Sequence, residues 1–528
     1  MKTQAKTDTN DYDITDLLNQ PSRILPPILL ISVCFKIILM PTYRSTDFDV
    51  HRNWLAVTHN LPLSEWYFND VNGTTVHTLD YPPMFAYFEA FLSNNPLTSR
   101  IVPLGDRCLD LLPDSDNTPS EDCIVFHRCT VIASDLIFWI GAYMACRSMY
   151  HGKPLYRSSM AFLLIVWNPG MLWLDHIHFQ YNGMLLGLFL GSLGLLMQGN
   201  NLGPNKRGYH FCHLGGAILY AFLLNLKHLY LTLAPLYFCY LLMSYCQIDG
   251  KGFQLRNFAA LASVTAICLL APWVPFLLQE DPKGQLLQIL ARLFPFGRGL
   301  VHDYWAANVW ALYLLADKVV KVASPRLPWI PISHLPEPTP LVCAVLMFVS
   351  QLPALIVAST RRSNVKLIQA VVYCSLCSFM FAWHVHEKAI MTALIPLTLL
   401  VCQNDDRNNK GYSHSLLFWQ MSLWGLLGLF PLLFRPVELG FKVVSYVTFM
   451  ALCVQFSKER FGSFRKLCSL LVGIVIIILE VLPIQGKWEF LPLMITSIIC
   501  ALGLVACWIV SLAQLLAVED ERIKDKNI

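Results

Sequence analysis

Residues 45–54 read STDFDVHRNW and residues 79–83 read LDYPP, and both acidic motifs lie in one polar stretch after a short apolar segment. The rest of the chain is strongly apolar: of 528 residues, 55% are hydrophobic and 14% are charged, with a mean hydropathy of +0.49. Soluble proteins carry about 25% charged residues, so the composition predicts a membrane protein. Carboxylates kept at the border of apolar segments indicate chemistry at the membrane surface.

The apolar runs predict an all-α polytopic membrane protein with about fourteen transmembrane helices. Short loops rich in Lys and Arg, such as 147–157 and 361–366, are predicted to face the cytosol. The large first loop then lies on the lumenal side. The predicted parts are a cytosolic tail (1–23), a first transmembrane helix (24–41), a lumenal catalytic loop (42–124), a transmembrane bundle (125–279), a second lumenal loop (280–305), a second transmembrane bundle (306–516) and a cytosolic tail (517–528).

Two short signals predict the endoplasmic reticulum membrane as the location. Asn72 begins the sequon Asn-Gly-Thr in the first loop, which agrees with a lumenal position. Lys524 and Lys526, the fifth and third residues from the end, match the dilysine retrieval pattern, which a receptor reads on the cytosolic side. Ordinary juxtamembrane lysines are the alternative explanation for this tail.

The first loop contains the candidate catalytic carboxylates. The spacing of apolar residues from Asp47 predicts an amphipathic helix over 47–59, lying at the membrane interface. Asp47 then stands at the start of the helix, where it can act either as a general base or as a plain N-cap. Pro82 and Pro83 restrict the backbone around Asp80 and Tyr81, so Asp80 is predicted to be held rigidly.

A second motif, DHIHFQYNG at 175–183, places polar side chains between two apolar spans. Gln and Asn amides suit sugar hydroxyl groups, so Gln180 and Asn182 are candidates for binding a polar substrate. His176 and His178 can bind a metal only with a third ligand, which the motif does not provide. Cys108 and Cys123 share the first loop and can form a disulfide if that loop faces an oxidising compartment.

Two further motifs supply positive charge. Residues 280–305 predict an interfacial helix with Arg292 near its end, followed by the run FPFGRG, which contains Arg298. Guanidinium groups suit phosphate oxygens. Anchoring at the membrane interface explains either arginine equally well. Residues 383–388 read WHVHEK, in which a His and Lys pair can hold a phosphate with Glu387 as counter-ion. Asp135 and Lys227 are isolated charges within apolar segments, and Asp135 is interpreted as a structural contact.

Taken together, the motifs STDFDVHRNW, LDYPP, HFQYN, FPFGRG and HVHEK resemble the dolichyl-phosphate-glucose-dependent glucosyltransferases of the endoplasmic reticulum. The resemblance runs from about residue 46 to residue 396. The family member that adds the first glucose to the lipid-linked oligosaccharide typically has Gly before the aspartate and the run Gln-Arg-His-Trp after it. Thr46 and the run His51–Trp54 depart from that pattern, and this chain is most similar to the α-1,3-glucosyltransferase that adds the second glucose.

The resemblance implies a GT-C glycosyltransferase fold and an inverting, metal-independent transfer without a cofactor. Its substrates would be a dolichyl-phosphate glucose donor and a dolichyl-diphosphate-linked oligosaccharide acceptor, with membrane lipid around a monomer and no nucleic acid. Asp47 matches the general base of the family. The donor phosphate would contact the cationic residues His386, Lys388, Arg298 and Arg292. Substrate-binding or site-ordering roles would fall to Asp80, Tyr81, Asp49, Arg52, His178, Gln180, Asn182, His384 and Glu387.

Four alternatives remain open from the sequence. The enzyme that adds the first glucose is the nearest. A transporter or lipid flippase would carry inverted repeats and broken spans in matching positions, and its charges would gather at the bilayer midplane, neither of which the sequence indicates. A structural membrane subunit, or a mannosyltransferase of the same fold, also fits the hydropathy, because a fold does not determine the sugar that is transferred.

Overall fold

A computed structural model describes residues 14–68, 77–96, 98–101, 107–111, 118–301, 305–326, 333–360, 362–403, 413–433, 436–456, 471–479 and 490–517. The predicted glycosylation sequon at Asn72 and the dilysine tail lie outside these ranges, as do residues 302–304. The described chain is almost entirely helical, which confirms the predicted all-α polytopic class. Its only two-stranded sheet pairs Gln247–Ile248 with Gly252–Phe253.

Eleven helices within the described ranges are long and apolar enough to cross a bilayer. Each contains at least 18 residues, and at a rise of about 1.5 Å per residue this approaches the thickness of the hydrocarbon core. They are Pro21–Ile38, Glu121–Met149, Leu155–Phe179, Asn182–Leu202, Arg207–Leu226, His228–Cys246, Leu255–Leu277, Pro340–Thr360, Asn364–Phe381, His414–Leu432 and Leu491–Leu516.

About fourteen spans were expected from the sequence, and some of these segments have a different structure. The segment near 306–323 is a helix of 15 residues, Val309–Ala323, and the segment near 387–403 is a series of short helices from Glu387 to Leu400. Neither is long enough to cross the bilayer as one straight helix. Pro436–Phe456 is helical as expected, and the segment near 466–484 lies only partly within the described residues.

Shorter helices complete the structure. The first loop contains Thr46–Asn60, Leu63–Glu65, Pro83–Asn94, Thr98–Ile101 and Arg107–Leu109, and the second contains Pro282–Leu293 and Phe296–Arg298. The Pro282–Leu293 helix lies on the first loop, because Gln285 and Gln288 donate hydrogen bonds to the carbonyl groups of Ser64 and Tyr67 at 2.7 and 2.9 Å. The two loops therefore form one layer.

The Thr46–Asn60 helix differs from its prediction in one respect. An amphipathic helix at the membrane interface was expected, with one apolar and one polar face, but the side chains from His51 to Thr58 are all buried. His51 Nδ1 lies within hydrogen-bond distance of Glu89 Oε1 of the Pro83–Asn94 helix, at 2.9 Å, and both side chains are buried. Cys108 and Cys123 form a disulfide that ties this loop to the Glu121–Met149 helix. The helix that begins at Thr46 is thus a fixed internal element.

Close helix packing positions the start of the Asn182–Leu202 helix. This helix contacts Glu121–Met149 along most of its length, and a methyl group on Gly187 would lie only 2.5 Å from the carbonyl oxygen of Ile137. Small residues permit such approach of helix backbones in membranes. A buried cluster adds to this arrangement: Asp135 contacts Lys36 at 2.7 Å and His176 at 3.1 Å. The isolated charge of Asp135 is therefore paired.

Candidate active site

Asp47 lies in the first turn of the Thr46–Asn60 helix, with its side chain free of any capping role. Ser45 is the N-cap, because its hydroxyl accepts a hydrogen bond from the backbone N–H of Asp47 at 3.2 Å. The same hydroxyl donates to the carbonyl oxygen of His178 at 2.5 Å. The explanation of Asp47 as a plain N-cap is therefore wrong, and its carboxylate is available to the site.

Three nitrogen atoms surround one oxygen of the Asp47 carboxylate. Oδ2 lies 2.5 Å from Lys388 Nζ, 2.6 Å from Gln180 Nε2 and 3.1 Å from His178 Nε2. Oδ1 accepts no hydrogen bond from any residue that the structure describes, and 26% of the side chain is exposed. The carboxylate is thus held through Oδ2, while Oδ1 remains open. A general base needs such an open oxygen to accept the proton of an incoming hydroxyl group.

The ionisation of Asp47 is set by two opposing effects. Burial would raise the pKa of Asp47, but the positive charge of Lys388 and the hydrogen bond from His178 oppose burial and hold this pKa well below its ordinary value. An opposite charge within about 4–6 Å favours the charged form. Asp47 is therefore a carboxylate at neutral pH.

A break in the Leu155–Phe179 helix turns the 178–183 segment toward Asp47. The last turns, Leu172–Phe179, are a π-helix, and Phe179 takes the left-handed backbone conformation with φ of 83°. Such a conformation is strained for a bulky residue, and buried Arg128 stabilises it by donating to the carbonyl oxygens of His176 and Ile177 at 2.8 and 2.9 Å. Gln180 follows in extended conformation and reaches Asp47.

Asn182 begins the next helix and links Gln180 to Asp175. The Asn182 amide donates to Gln180 Oε1 at 2.8 Å and to Asp175 Oδ1 at 3.0 Å. Asp175 also accepts from the backbone N–H groups of Asn182 and Gly183 at 3.1 and 2.5 Å. A carboxylate at a helix N-terminus is favourable, so Asp175 caps this helix and orients Asn182.

Asp80 forms a second charged pair in the same loop layer. Arg298 Nη1 lies 3.4 Å from Asp80 Oδ2, with half of the arginine side chain exposed. Burial raises the pKa of Asp80, and the charge of Arg298 counteracts it. The Tyr67 hydroxyl donates to the carbonyl oxygen of Tyr81 at 2.7 Å, which anchors the segment before Pro83.

Backbone pairing holds the 299–301 and 384–388 segments side by side and so positions Lys388. Val301 pairs with Val385 in a parallel bridge, and His384 N–H donates to the Leu300 carbonyl oxygen at 2.9 Å. His384 has φ of 53°, which turns the chain sharply before Lys388. The ring of His386 lies 5.5 Å from that of His384, measured between centroids.

The remaining predicted residues lie around the Asp47 cluster rather than in it. Arg52, which is buried, donates to the Asp110 carbonyl oxygen at 3.0 Å and so fixes the first loop. Arg292 donates to the Tyr67 carbonyl oxygen at 3.3 Å.

Two further carboxyl groups have raised pKa values. Burial raises the pKa of Asp49, and the positive charge of Arg44 opposes this increase. Glu387 is 3% exposed, and neither of its carboxylate oxygens has a hydrogen-bond partner within the described part of the chain. Burial raises the pKa of Glu387 to about 7. Lys388 thus pairs with Asp47 and not with Glu387.

Within the described residues, one group of three metal-ligating side chains has its ligand atoms close together: Cys108, Cys123 and His127. Both cysteines are consumed by the disulfide. His176 and His178, the pair considered as ligands from the sequence, point to different partners, Asp135 and Asp47. The nearest donors to the candidate base are thus ammonium, amide and imidazole groups.

Two functional features were missed from the sequence. Ser45 precedes the helix by one position, where an N-cap is expected, and that signal was available. Lys227 seemed an isolated charge, but its Nζ lies 3.4 Å from Asn182 Oδ1 and 5.0 Å from the centre of the Tyr81 ring. A lysine at the junction of two apolar spans is costly unless it has a role, which is the signal that could have identified it.

Comparison with known proteins gives a consistent result. The sequence profile of the ALG6, ALG8 glycosyltransferase family matches residues 32–511. A protein of Arabidopsis thaliana is 36% identical over 94% of this chain and 98% of its own length. A Mus musculus protein is 35% identical over 90% of this chain and 92% of its own length. Both relatives are named dolichyl pyrophosphate Glc1Man9GlcNAc2 alpha-1,3-glucosyltransferase.

Proposed function

Because this chain belongs to the ALG6, ALG8 glycosyltransferase family, we propose that it adds the second glucose to the lipid-linked oligosaccharide used for N-glycosylation. Glucose passes from dolichyl-phosphate glucose to the terminal glucose of the monoglucosylated dolichyl-diphosphate oligosaccharide. The new linkage is α-1,3, and the reaction takes place at the lumenal face of the endoplasmic reticulum membrane. The names of the relatives favour an acceptor that already carries one glucose, rather than the first-glucose reaction.

The observation that carries this proposal is the asymmetry of the Asp47 carboxylate. Oδ2 is held by Lys388, Gln180 and His178, while Oδ1 has no protein donor among the described residues. Oδ1 takes the proton from the C3 hydroxyl of the acceptor glucose as that oxygen attacks the anomeric carbon of the donor. The new C–O bond forms on the face opposite the phosphate, so a β-linked donor gives an α-linked product.

One carboxylate is sufficient for this chemistry. The bond between the anomeric carbon and the phosphate oxygen breaks with its electron pair on the phosphate, which is stable as an anion and needs no proton. Glycoside hydrolases use a second carboxyl group to protonate their leaving group; here that task is absent. The site needs positive charge near the departing phosphate instead.

The loop layer supplies groups for substrate binding. His386 and Arg298 lie on the two segments joined by the Val301–Val385 bridge, and half of the Arg298 side chain is exposed, which favours contact with phosphate oxygens. Asp80 and Tyr81 lie on the anchored segment of the first loop, within reach of Arg298 and Lys227. Hydrogen-bonding side chains of this kind suit the hydroxyl groups of the acceptor.

The test is acceptor selection by the full-length protein in membranes. Dolichyl-phosphate glucose labelled in the sugar is supplied with lipid-linked Man9GlcNAc2 oligosaccharides carrying zero, one or two glucoses. The proposal predicts label only on the acceptor with one glucose, in an α-1,3 linkage. Extension of the acceptor without glucose, or movement of labelled lipid across the membrane with no glycosidic product, would overturn it.

A further inference from the structure

Lys227 is a cation that the Asp47 cluster does not use. It joins the Arg207–Leu226 helix to the turn that begins at His228, and its ammonium group lies over the ring of Tyr81. Among the residues that the structure describes, no carboxylate forms an ion pair with it. Lys388, by contrast, is paired with Asp47, and Arg298 lies beside Asp80.

A chain of directional hydrogen bonds connects Lys227 to the base. Lys227 Nζ donates to Asn182 Oδ1, the Asn182 amide nitrogen donates to Gln180 Oε1, and the Gln180 amide nitrogen donates to Asp47 Oδ2, at 3.4, 2.8 and 2.6 Å. Each amide receives a hydrogen bond at its oxygen and gives one from its nitrogen. The chain therefore has a positive end at Lys227 and a negative end at Asp47, with two side-chain amides between them.

This separation matches the geometry of an inverting transfer. The attacking and leaving oxygens lie on opposite sides of the anomeric carbon, so a cation that touches the base cannot also be well placed for the leaving group without moving. Lys388 touches Asp47 directly. Lys227 lies on the same polar surface but two side chains away from the base. Lys227 is therefore the cation of this network that does not contact the base.

The positive charge of Lys227 is only partly compensated by its surroundings. Burial lowers the pKa of Lys227, and the charges of Asp47, Asp175 and Asp80 oppose this only in part. The neighbouring His228 has a buried Nδ1 that finds no hydrogen-bond partner among the residues the structure describes, and its ring packs edge-on against Phe294 of the second loop. An arriving phosphate would supply both the missing charge and a hydrogen-bonding oxygen.

A small cavity lies where two segments of the chain meet. It is lined by residues that follow Lys227 in sequence, including Leu229 and Thr232, and by residues that follow Lys388, including Ala389 and Thr392. The segments that carry the two lysines are therefore neighbours, although neither lysine lines this cavity.

We propose that Lys227 binds the phosphate group of the lipid-linked sugar donor and stabilises the negative charge that this phosphate gains as the glycosidic bond forms. This inference rests on the proposed function and assigns the donor end of the same site. The diphosphate of the acceptor is a poorer occupant, because the whole oligosaccharide separates it from the reacting glucose.

The experiment compares the full-length protein with Lys227→Met, Lys227→Arg and the control Lys283→Met, which removes an exposed lysine from the second loop. Initial rates are measured while the concentration of dolichyl-phosphate glucose is varied, and then while that of the acceptor is varied. Lys227→Met should lower kcat/KM for the donor about 100-fold, the usual loss for one charge-stabilising donor. KM for the acceptor should change little, Lys227→Arg should restore part of the activity, and Lys283→Met should resemble the unchanged protein.

A binding measurement separates this inference from the proposed function. Dolichyl phosphate, the lipid product, should raise the thermal midpoint of the unchanged protein and of Lys283→Met but not that of Lys227→Met; inorganic phosphate should act in the same way only at far higher concentration. If the unchanged protein transfers no glucose yet shows this Lys227-dependent binding, the proposed function fails and the phosphate site stands. Unchanged donor kinetics and unchanged dolichyl phosphate binding in a folded Lys227→Met protein would overturn the inference.

Discussion

Replacing Gln180 with glutamate tests whether Asp47 must be ionised for the reaction. The Gln180 side chain is 8% exposed, and its amide nitrogen lies 2.6 Å from Asp47 Oδ2. Glutamate has nearly the same shape, so Gln180→Glu exchanges a hydrogen-bond donor for a second carboxylate at this distance. The variant therefore changes charge while it preserves packing.

The repulsion is large enough to change the protonation of the site. Two unit charges 2.6 Å apart interact by about 6 kcal/mol in an effective dielectric of about 20. The charge of Lys388 and partial exposure of Asp47 reduce this cost, but two carboxylates that share a site cannot both remain ionised, and the pKa of the pair rises. The variant should lose activity at neutral pH by about 100-fold or more, the usual contribution of general base catalysis.

The rate of the Gln180→Glu variant should change with pH in a definite direction. In the unchanged protein the pKa of Asp47 is held well below its ordinary value, so the base is ionised throughout the neutral range and its titration does not limit the rate. In Gln180→Glu the raised pKa means that the active, deprotonated form is recovered only as pH increases. The rate of glucose transfer should therefore rise with pH in the variant, over a range where the unchanged protein is flat.

Gln180→Met is the matched control, since it removes the hydrogen bond without adding charge. A charge-assisted hydrogen bond is worth about 2 kcal/mol, or about 30-fold, and this loss should not depend on pH. Initial rates from pH 5.5 to 8.5, with both substrates saturating, distinguish the two variants. A Gln180→Glu protein that is folded and as active as the unchanged protein, with the same pH profile, would refute the role assigned to the Asp47 cluster.

Three further predictions follow from the structure. Lys388→Met should move the acidic limb of the pH–rate profile to higher pH, because the charge that lowers the pKa of Asp47 is lost, whereas Lys388→Arg should leave it in place; equal profiles would contradict the ion pair. Replacing Cys108 and Cys123 with serine should destabilise the protein by about 3 kcal/mol, from a closed loop of 15 residues, seen as a lower thermal midpoint, and an unchanged midpoint would contradict this. EDTA should not inhibit glucose transfer, and inhibition reversed by one added metal ion would show that the base does not act alone.

The apolar runs predicted most of the helical segments, because a bilayer requires long uninterrupted stretches of apolar residues. The helix after Ser45 was also predictable from its periodicity and its polar start. Its burial was not, since the pairing of His51 with Glu89 depends on how two loop segments fold together. A moderate hydrophobic periodicity cannot distinguish a helix on a membrane surface from one covered by the chain itself.

The candidate site was predictable only in its parts. The motifs that contain Asp47, His178, Gln180 and Lys388 were identified separately, but the contact between Asp47 and Lys388 joins residues 341 positions apart. Lys388 was expected to bind phosphate, and its contact with the base was not predicted. Nothing local indicates that contact, which arises because the Val301–Val385 bridge and the turn at His384 direct the 384–388 segment inward.

Lys227 is a second residue whose place in the site could not be predicted from the sequence. It stands between two apolar helices and no motif includes it, so the sequence presents it as an isolated charge. The helix packing that carries Asn182 to the Asp47 cluster also brings Asn182 to Lys227. Its relation to the site is a product of tertiary structure alone.

Glucose transfer by Asp47→Asn tests most directly whether Asp47 is the catalytic base. The unchanged protein and the variant are compared with dolichyl-phosphate glucose and the monoglucosylated acceptor, after membrane insertion and thermal midpoint have been shown to match. Asparagine keeps the size of the side chain but cannot take up the hydroxyl proton, so kcat should fall about 100-fold to 10,000-fold if Asp47 is the base. Transfer by Asp47→Asn at a rate close to that of the unchanged protein would contradict this role of Asp47.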